Sequence, residues 1–296
     1  MRLPNWLAQP LAALRALLVL TILTGIVYPL AILAVAQIPG LRHQAAGSLV
    51  KAADGTTIGS SIIGQSFTDD QGAALAQYFQ SRPSAAGDGY DPTATGATNL
   101  GPENIVDTLP DPAVKDDPGT QSLLTQVCAR SRAAGELEGV DGSRPYCTPG
   151  GVGAVLAVFH RDGLTGPVTR VVSVNEPCPA TPFVASYQGV RVECSTFGAD
   201  YPHGTITPVR GDAPASPAVP ADAVTASGSG LDPQISPAYA RIQAARVAKA
   251  RGISVATVLK LGDANTTGRA LGFLGEPAVN VVELNLDLDR HHPYRP

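Results

Sequence analysis

Ala16–Ala36 reads ALLVLTILTGIVYPLAILAVA, 21 residues without a charge. As a helix rising about 1.5 Å per residue it is roughly 31 Å long, enough to cross a hydrocarbon core of about 30 Å. No other stretch of the 296 residues approaches this, so the chain divides into an anchor and whatever follows it. A cleaved signal is the competing reading. Ala34-Val35-Ala36 fits a small-x-small cleavage site, which would release a secreted protein starting at Gln37. A signal's apolar core usually spans only about 7–15 residues, and that length favours a retained anchor. The amino terminus, Arg2 and Arg15 precede the segment, while Arg42 and Lys51 follow it. This small excess places the N-terminus inside. We therefore expect a short cytoplasmic tail (1–13), a transmembrane anchor (14–36) and an exported domain (37–296). Within the anchor, Pro29 frees a backbone carbonyl beside Tyr28, and Gly25 lets a neighbouring helix approach closely.

Outward from the anchor, composition sets limits. Only 16% of residues are charged, and the formal net charge is −4. That balance argues against a nucleic-acid binder, which carries a basic patch or stripe. A 44% hydrophobic content supplies a core, so the chain is not disordered throughout. Aromatics make up 5%, so the core must rest on Val, Leu, Ile and Ala. Gly and Pro are abundant, at 31 and 26 residues, and predict many turns.

The four cysteines are Cys128, Cys147, Cys178 and Cys194, with no C-x-x-C spacing. An even number in an exported region reads as two disulfides. Three pairings exist; the local one, Cys128–Cys147 with Cys178–Cys194, is preferred, although spacing does not fix it. Further on, Leu49–Gln65 reads as a hairpin around the Asp54-Gly55 turn signal. A short helix is expected over 69–80, an irregular polar loop from Ser81 to Asn104, and a helix from about Gly119 to Ala134. Val152–Phe159, Val168–Val174 and Phe183–Cys194 are β-rich runs and suggest a small antiparallel unit. Residues 208–220 read as a linker. Ser236-Pro237 caps a helix running to about Arg251; Gly252 ends it and Ser254 caps the next. Val282, Leu284, Leu286 and Leu288 alternate with polar residues, which predicts a strand whose acidic face carries Asp287 and Asp289.

Catalytic motifs are missing. There is no G-x-x-x-x-G-K-[ST] and no G-x-S-x-G. Gly151-x-Gly153 begins a dinucleotide-like pattern, but residue 156 is Leu and a strand follows. His43, His160, His203, His291 and His292 form no ligand pair on one helix face, so zinc chemistry is not indicated. The one anion-binding pattern is Ser227-Gly228-Ser229-Gly230-Leu231-Asp232-Pro233, a Gly-rich loop opening into a helix. It contains no Lys or Arg, and a tight turn positioning the helix cap explains it as well.

Several blocks carry a resemblance. They are TGIVYPL at 24–30, GS at 59–60 with IGQSF at 63–67, YFQSRPSA at 78–85 and NLGPEN at 99–104. TASGSGLDPQISP at 225–237, RVAKARG at 246–252 and GEPAVNVVELN at 275–285 complete them. In this order they resemble the C subunit of the Kdp-type potassium-transporting P-type ATPase. The resemblance spans about 14–138 and 216–290, with a core at about 48–138 and 216–290. It leaves about 139–215 as a β-rich, cysteine-bearing insertion. It implies an α/β (α+β) protein: one N-terminal transmembrane helix, then an exported mixed domain, at the cell membrane.

The function it implies is that of a non-catalytic accessory subunit of a high-affinity, ATP-driven potassium uptake complex. Its expected partners are a channel-like potassium-binding subunit, a catalytic P-type ATPase subunit, a small single-helix subunit, and membrane lipid. ATP and K+ would be handled by the complex, with no cofactor of the chain's own. The family subunit is described as a catalytic chaperone that raises ATP affinity. An exported domain cannot reach cytosolic ATP, so a cap over the channel's outer entrance is the alternative. The chain has no D-K-T-G-T motif, since Asp54-Gly55-Thr56-Thr57 is not one, and no T-V-G-Y-G-like filter. The motif-loop residues singled out are Arg82, Pro83, Ser84, Asn99, Gly101, Pro102, Ser227, Gly228, Gly230, Leu231, Asp232 and Pro233, as shapers of the domain and its channel contact. Gly25, Tyr28 and Pro29 are expected to pack the anchor. A nucleotide-interacting regulator using the 227–237 loop is the competing function, and it requires that loop to be cytosolic.

Overall fold

The computed structural model describes residues 4–295 except Ala53, Asp200 and Pro202. The chain forms two compact units, residues 1–62 and 63–296. In the first, α1 (Asn5–Ile22) runs through a π-helical turn (Leu23–Val27) into α2 (Tyr28–Ala36). The continuous helix Ala8–Ala36 is, by length and composition, able to cross a membrane. The π turn has a local cause. Pro29 offers no N–H to the Gly25 carbonyl and its ring crowds that carbonyl. The ladder widens there, so that the Tyr28 N–H reaches the Leu23 carbonyl, five residues back. The Thr24 hydroxyl donates to the Leu20 carbonyl at 2.7 Å, satisfying one acceptor beside the break. A short helix, α3 (Arg42–Ala45), leads to the hairpin of β1 (Leu49–Lys51) and β2 (Thr57–Ser60), paired antiparallel as the Asp54-Gly55 turn signal predicts.

In the second unit, α4 (Leu123–Glu138) starts three or four residues later than expected. Ser122 caps it by accepting from the Thr125 N–H, and Gly139 ends it at φ +68°. A five-stranded sheet follows: β3 (Val155–Asp162), β4 (Thr165–Pro177), β5 (Ser186–Tyr187), β6 (Val190–Ser195) and β7 (Thr205–Pro208), in the order β5-β6-β4-β3-β7. The expected all-antiparallel arrangement is corrected at one place, because β4 and β6 run parallel. Parallel neighbours need a crossover, and residues 178–189 supply it with β5 inside. Alternation along β3 sends Val155 and Ala157 into one core and Leu156 and Val158 into another. Strand β7 went unpredicted because TITP is only four residues long.

The C-terminal part comprises β8 (Gln234–Ile235), α5 (Pro237–Arg251), α6 (Val255–Ala264), β9 (Thr266–Thr267), β10 (Ala278–Asn280) and α7 (Val281–His291). Here β10 lies between β8 and β9, antiparallel to both. The α5 and α6 caps fall at Ser236, Gly252 and Ser254, as predicted. The strand expected over Val282–Leu288 is overturned: α7 is a helix, capped by Asn280, which accepts from the Glu283 N–H at 3.1 Å. Its buried residues include Val281, Leu284, Asn285 and Leu288, a spacing of three and four. The period-two reading failed because Asn285, counted as solvated, is only 2% exposed. The predicted acidic strand face dissolves with it: Asp287 accepts from Asn265, and Asp289 from Arg251 and Tyr78.

The helix expected over 69–80 is likewise absent, and the reason lies in its partners. The backbone of Phe79 exchanges two hydrogen bonds with the side-chain amide of Asn285, at 2.8 and 3.0 Å. That of Gln80 does the same with Gln243, at 2.7 and 3.1 Å. Two buried amides thus act as substitute strand neighbours and hold the strap at Phe79 and Gln80 out of a helix. The main core gathers around this strap, joining Phe79 to Val247, Val258, Leu284 and Leu288.

Candidate functional site

The two glycine-rich motif segments meet. Arg82, on the strap's continuation, places Nη1 at 3.1 Å from Asp232 Oδ2, and its Nη2 donates to the carbonyls of Thr225 and Ala226 at 3.2 Å each. The Ser84 hydroxyl donates to the Gly230 carbonyl at 2.7 Å, and the Ser227 N–H to the Pro83 carbonyl at 2.9 Å. Tyr90 inserts from the irregular loop and donates to the Arg82 carbonyl at 2.8 Å. Burial pushes its phenol pKa up to about 12. The Gly64 N–H donates to the Leu231 carbonyl at 2.8 Å, and the Val281 N–H to the Pro233 carbonyl at 2.9 Å. Gly64 must be glycine, since a Cβ there would overlap the Tyr90 ring and the Asp232 carbonyl.

This geometry decides what the 227–233 loop can do. Ser227 Oγ accepts from the N–H groups of Gly230 (2.9 Å) and Asp232 (3.3 Å), and Ser229 Oγ from that of Leu231 (3.1 Å). Three N–H groups that could face a phosphate, those of Gly230, Leu231 and Asp232, are spent inside the loop. The α5 N-terminus holds the Asp222 carboxylate, which accepts from the N–H and hydroxyl of Ser236 at 2.6 and 2.8 Å. An internal anion already occupies the place a nucleotide phosphate would need.

A second clasp lies on α5. Arg246 forms a bidentate pair with Glu138 of α4, at 2.9 and 3.0 Å, with side chains only 8% and 1% exposed. Its Nη1 also donates to the carbonyls of Ala76 (2.8 Å) and Tyr78 (2.9 Å). Burial holds the Glu138 carboxyl above the usual carboxylate range despite the pull of Arg246. Arg251, its side chain fully buried, bonds the Gln77 and His292 carbonyls and Asp289 at 2.8 Å each, and lies over the Tyr78 ring.

Of the other residues singled out, Asn99, Gly101 and Pro102 lie apart from the clasp. Their segment leads to Asn104, whose side chain accepts from the Leu123 N–H at 2.7 Å and so helps start α4. Gly228 is exposed, with open space around it. Gly25 and Tyr28 lie at the π turn, with Pro29 one residue beyond. The disulfides join Cys128 to Cys147 and Cys178 to Cys194. The first ties α4 to the approach of the sheet, beside a cleft of about 990 Å³. Both arginines on that cleft are engaged: Arg132 with Glu136 and the Gly150 carbonyl, Arg144 with the Val219 carbonyl. Asn175 stitches the sheet to the preceding segment through the Asp107 N–H and the Ile105 carbonyl. Reading the sequence missed Tyr90, Gln243, Asn285 and the Arg246–Glu138 pair. None of these stood out: Asn285 reads as one more polar residue of the alternating run 282–288.

The clasp predicts contrasting glycine substitutions. Gly230 sits at φ +75° with its missing Cβ against Ala86, so Gly230→Ala should cost about 1–3 kcal/mol. Gly228→Ala, facing open space, should stay within about 0.5 kcal/mol of the parent. Thermal unfolding of the two variants checks both.

The geometry defines a protein with, among the described residues, one membrane-length apolar helix and a disulfide-bearing α+β domain, whose motif segments engage one another. A family model described as "K+-transporting ATPase, c chain" matches residues 10–109 and 203–290. The chain is 37% identical over 286 residues to the potassium-transporting ATPase KdpC subunit of Kineococcus radiotolerans, covering 97% of this chain and 95% of the relative. It is equally 37% identical over 282 residues to the subunit of that name from Mycobacterium tuberculosis (95% and 98% covered), and 36% identical to that of Myxococcus xanthus (95% and 87%). The chain belongs to the KdpC family. Membership implies association with a membrane and a place in the Kdp potassium ATPase complex. The family model leaves 110–202 unmatched, yet relatives of similar length align across nearly the whole chain.

Proposed function

We propose that the chain is a non-catalytic, assembly-stabilising subunit of the potassium pump. One span, N-terminus inside, holds it in the cell membrane, and its domain lies outside. The observation that carries this is the state of the motif loops. Arg82 pairs with Asp232, and the hydroxyls of Ser84, Ser227 and Ser229 bond backbone groups of the same two segments, which suits a rigid scaffold better than a nucleotide cradle. Two disulfides support an oxidising, extracytoplasmic setting. The anchor supports partner packing, because the chain itself has little need of Gly25: a Cβ there would meet nothing closer than Thr21 at 4.0 Å. On this reading the domain caps the channel-like subunit. Any rise in ATP affinity of the ATP-hydrolysing subunit arises through the assembly and not by contact with ATP.

The test is to express the other pump subunits with and without this chain. We expect recovery of the intact complex, and growth on micromolar potassium, only in its presence. Binding of a photoreactive ATP analogue to the purified full chain alone would overturn the proposal.

A further inference from the structure

Two motif loops are expected to contribute to the contact with the rest of the pump, and much of their polar surface is turned toward each other. The exposed apolar surface lies elsewhere. Between β9 and β10, residues 269–276 form a closed projecting turn. Ala270 and Leu274 exchange backbone hydrogen bonds at 2.9 Å each, and Arg269 and Glu276 pair across its base at 2.6 Å. The tip exposes Leu271 (83%), Phe273 (69%) and Leu274 (51%). Leu271 is held at φ +54°, a conformation that a leucine rarely adopts and that the closed turn imposes. An ordered turn costs conformational entropy, and here three large apolar side chains left in water do little to offset it in the isolated domain, so the turn points to an occupant.

Resting on the reading of the chain as a pump subunit, we propose that this turn is its docking knob. It inserts into an apolar pocket on the outer face of another subunit, with Arg269 and Glu276 at the polar rim. Charge favours a protein pocket over lipid. Residues 63–296 carry 17 basic and 24 acidic residues, a net −7, whereas interfacial binding to anionic lipid draws on clustered Lys and Arg. Residues 269–276 carry one cation, Arg269, already paired with Glu276.

The experiment introduces Leu274→Cys into the full chain, expressed alone or with the other subunits, and measures modification by a PEG-maleimide as a band shift of this chain. Position 274 should label at least tenfold more slowly in the assembled pump than in the chain alone in vesicles. Equal rates overturn the proposal. Protection of the chain alone in vesicles relative to detergent assigns the knob to lipid and overturns it too. A second variant, Leu271→Asp with Phe273→Asp, should keep both disulfides on a non-reducing gel and lose at least tenfold in recovery of the other subunits after detergent washing. Undiminished recovery counts against the knob. Failure of the parent chain to recover any subunit would instead defeat the subunit reading itself, and is recognised because it involves no change in the loop.

Discussion

Arg246→Met should lower the unfolding free energy by about 3–5 kcal/mol, the cost of removing one partner from a buried ion pair. Glu138 would keep a carboxylate whose side chain is 1% exposed, with no cation beside it. The carbonyls of Ala76 and Tyr78 would lose their shared donor. The effect has a pH signature. Burial already holds the Glu138 carboxyl above its ordinary value, and without the guanidinium it rises further. Between the unfolded value of about 4.3 and the raised folded value, the folded state binds a proton that the unfolded state has released. Stability therefore falls as pH climbs through that window, and the variant's deficit should be larger at pH 8 than at pH 5. Urea midpoints of the full chain in detergent at both pH values measure it. A parent-like midpoint, or a deficit that grows on acidification, would show that the pair does not hold α4 to α5.

Removing a disulfide should cost about 3 kcal/mol, the loop-closure value for sequence separations of 19 and 16 residues. The two bonds differ in consequence. Cys128 lies on the buried face of α4, and Cys147 precedes β3, so Cys128→Ser with Cys147→Ser loosens α4 from the sheet. Cys178→Ser with Cys194→Ser frees the crossover between the parallel strands β4 and β6, and leaves the α5–α7 core untouched. Hydrogen exchange should separate them: α4 loses protection in the first pair, residues 178–195 in the second. Uniform loss across α5 and α7 in the second would contradict this division.

What could be read from the sequence was whatever local chemistry alone determines. Ser236, Pro237, Gly252 and Ser254 mark helix ends through their own backbones, and those boundaries hold. The Asp54-Gly55 hairpin and the unbroken apolar run of the anchor belong to the same kind. Failures occur where a distant side chain replaces a backbone partner. Residues 69–80 look helical in isolation, but Asn285 and Gln243 bond the backbone at Phe79 and Gln80 from more than 160 positions away. The same Asn285 disguised α7 as a strand, because a buried amide reads as a solvated residue. The clasp was legible as two motif segments, from resemblance, and not as one structure, because Tyr90 and Gly64 join it with no periodic signal. The apolar knob at 271–274 lay inside a short Gly-rich turn that periodicity passes over.

The central claim, a scaffold domain held outside the membrane, is tested most directly on intact cells. A membrane-impermeant maleimide is applied to the full chain before and after an impermeant reductant. We predict no label at first, then label on the four cysteines once the external reductant has opened Cys128–Cys147 and Cys178–Cys194. Label that appears only after lysis would place the domain in the cytosol and contradict the account.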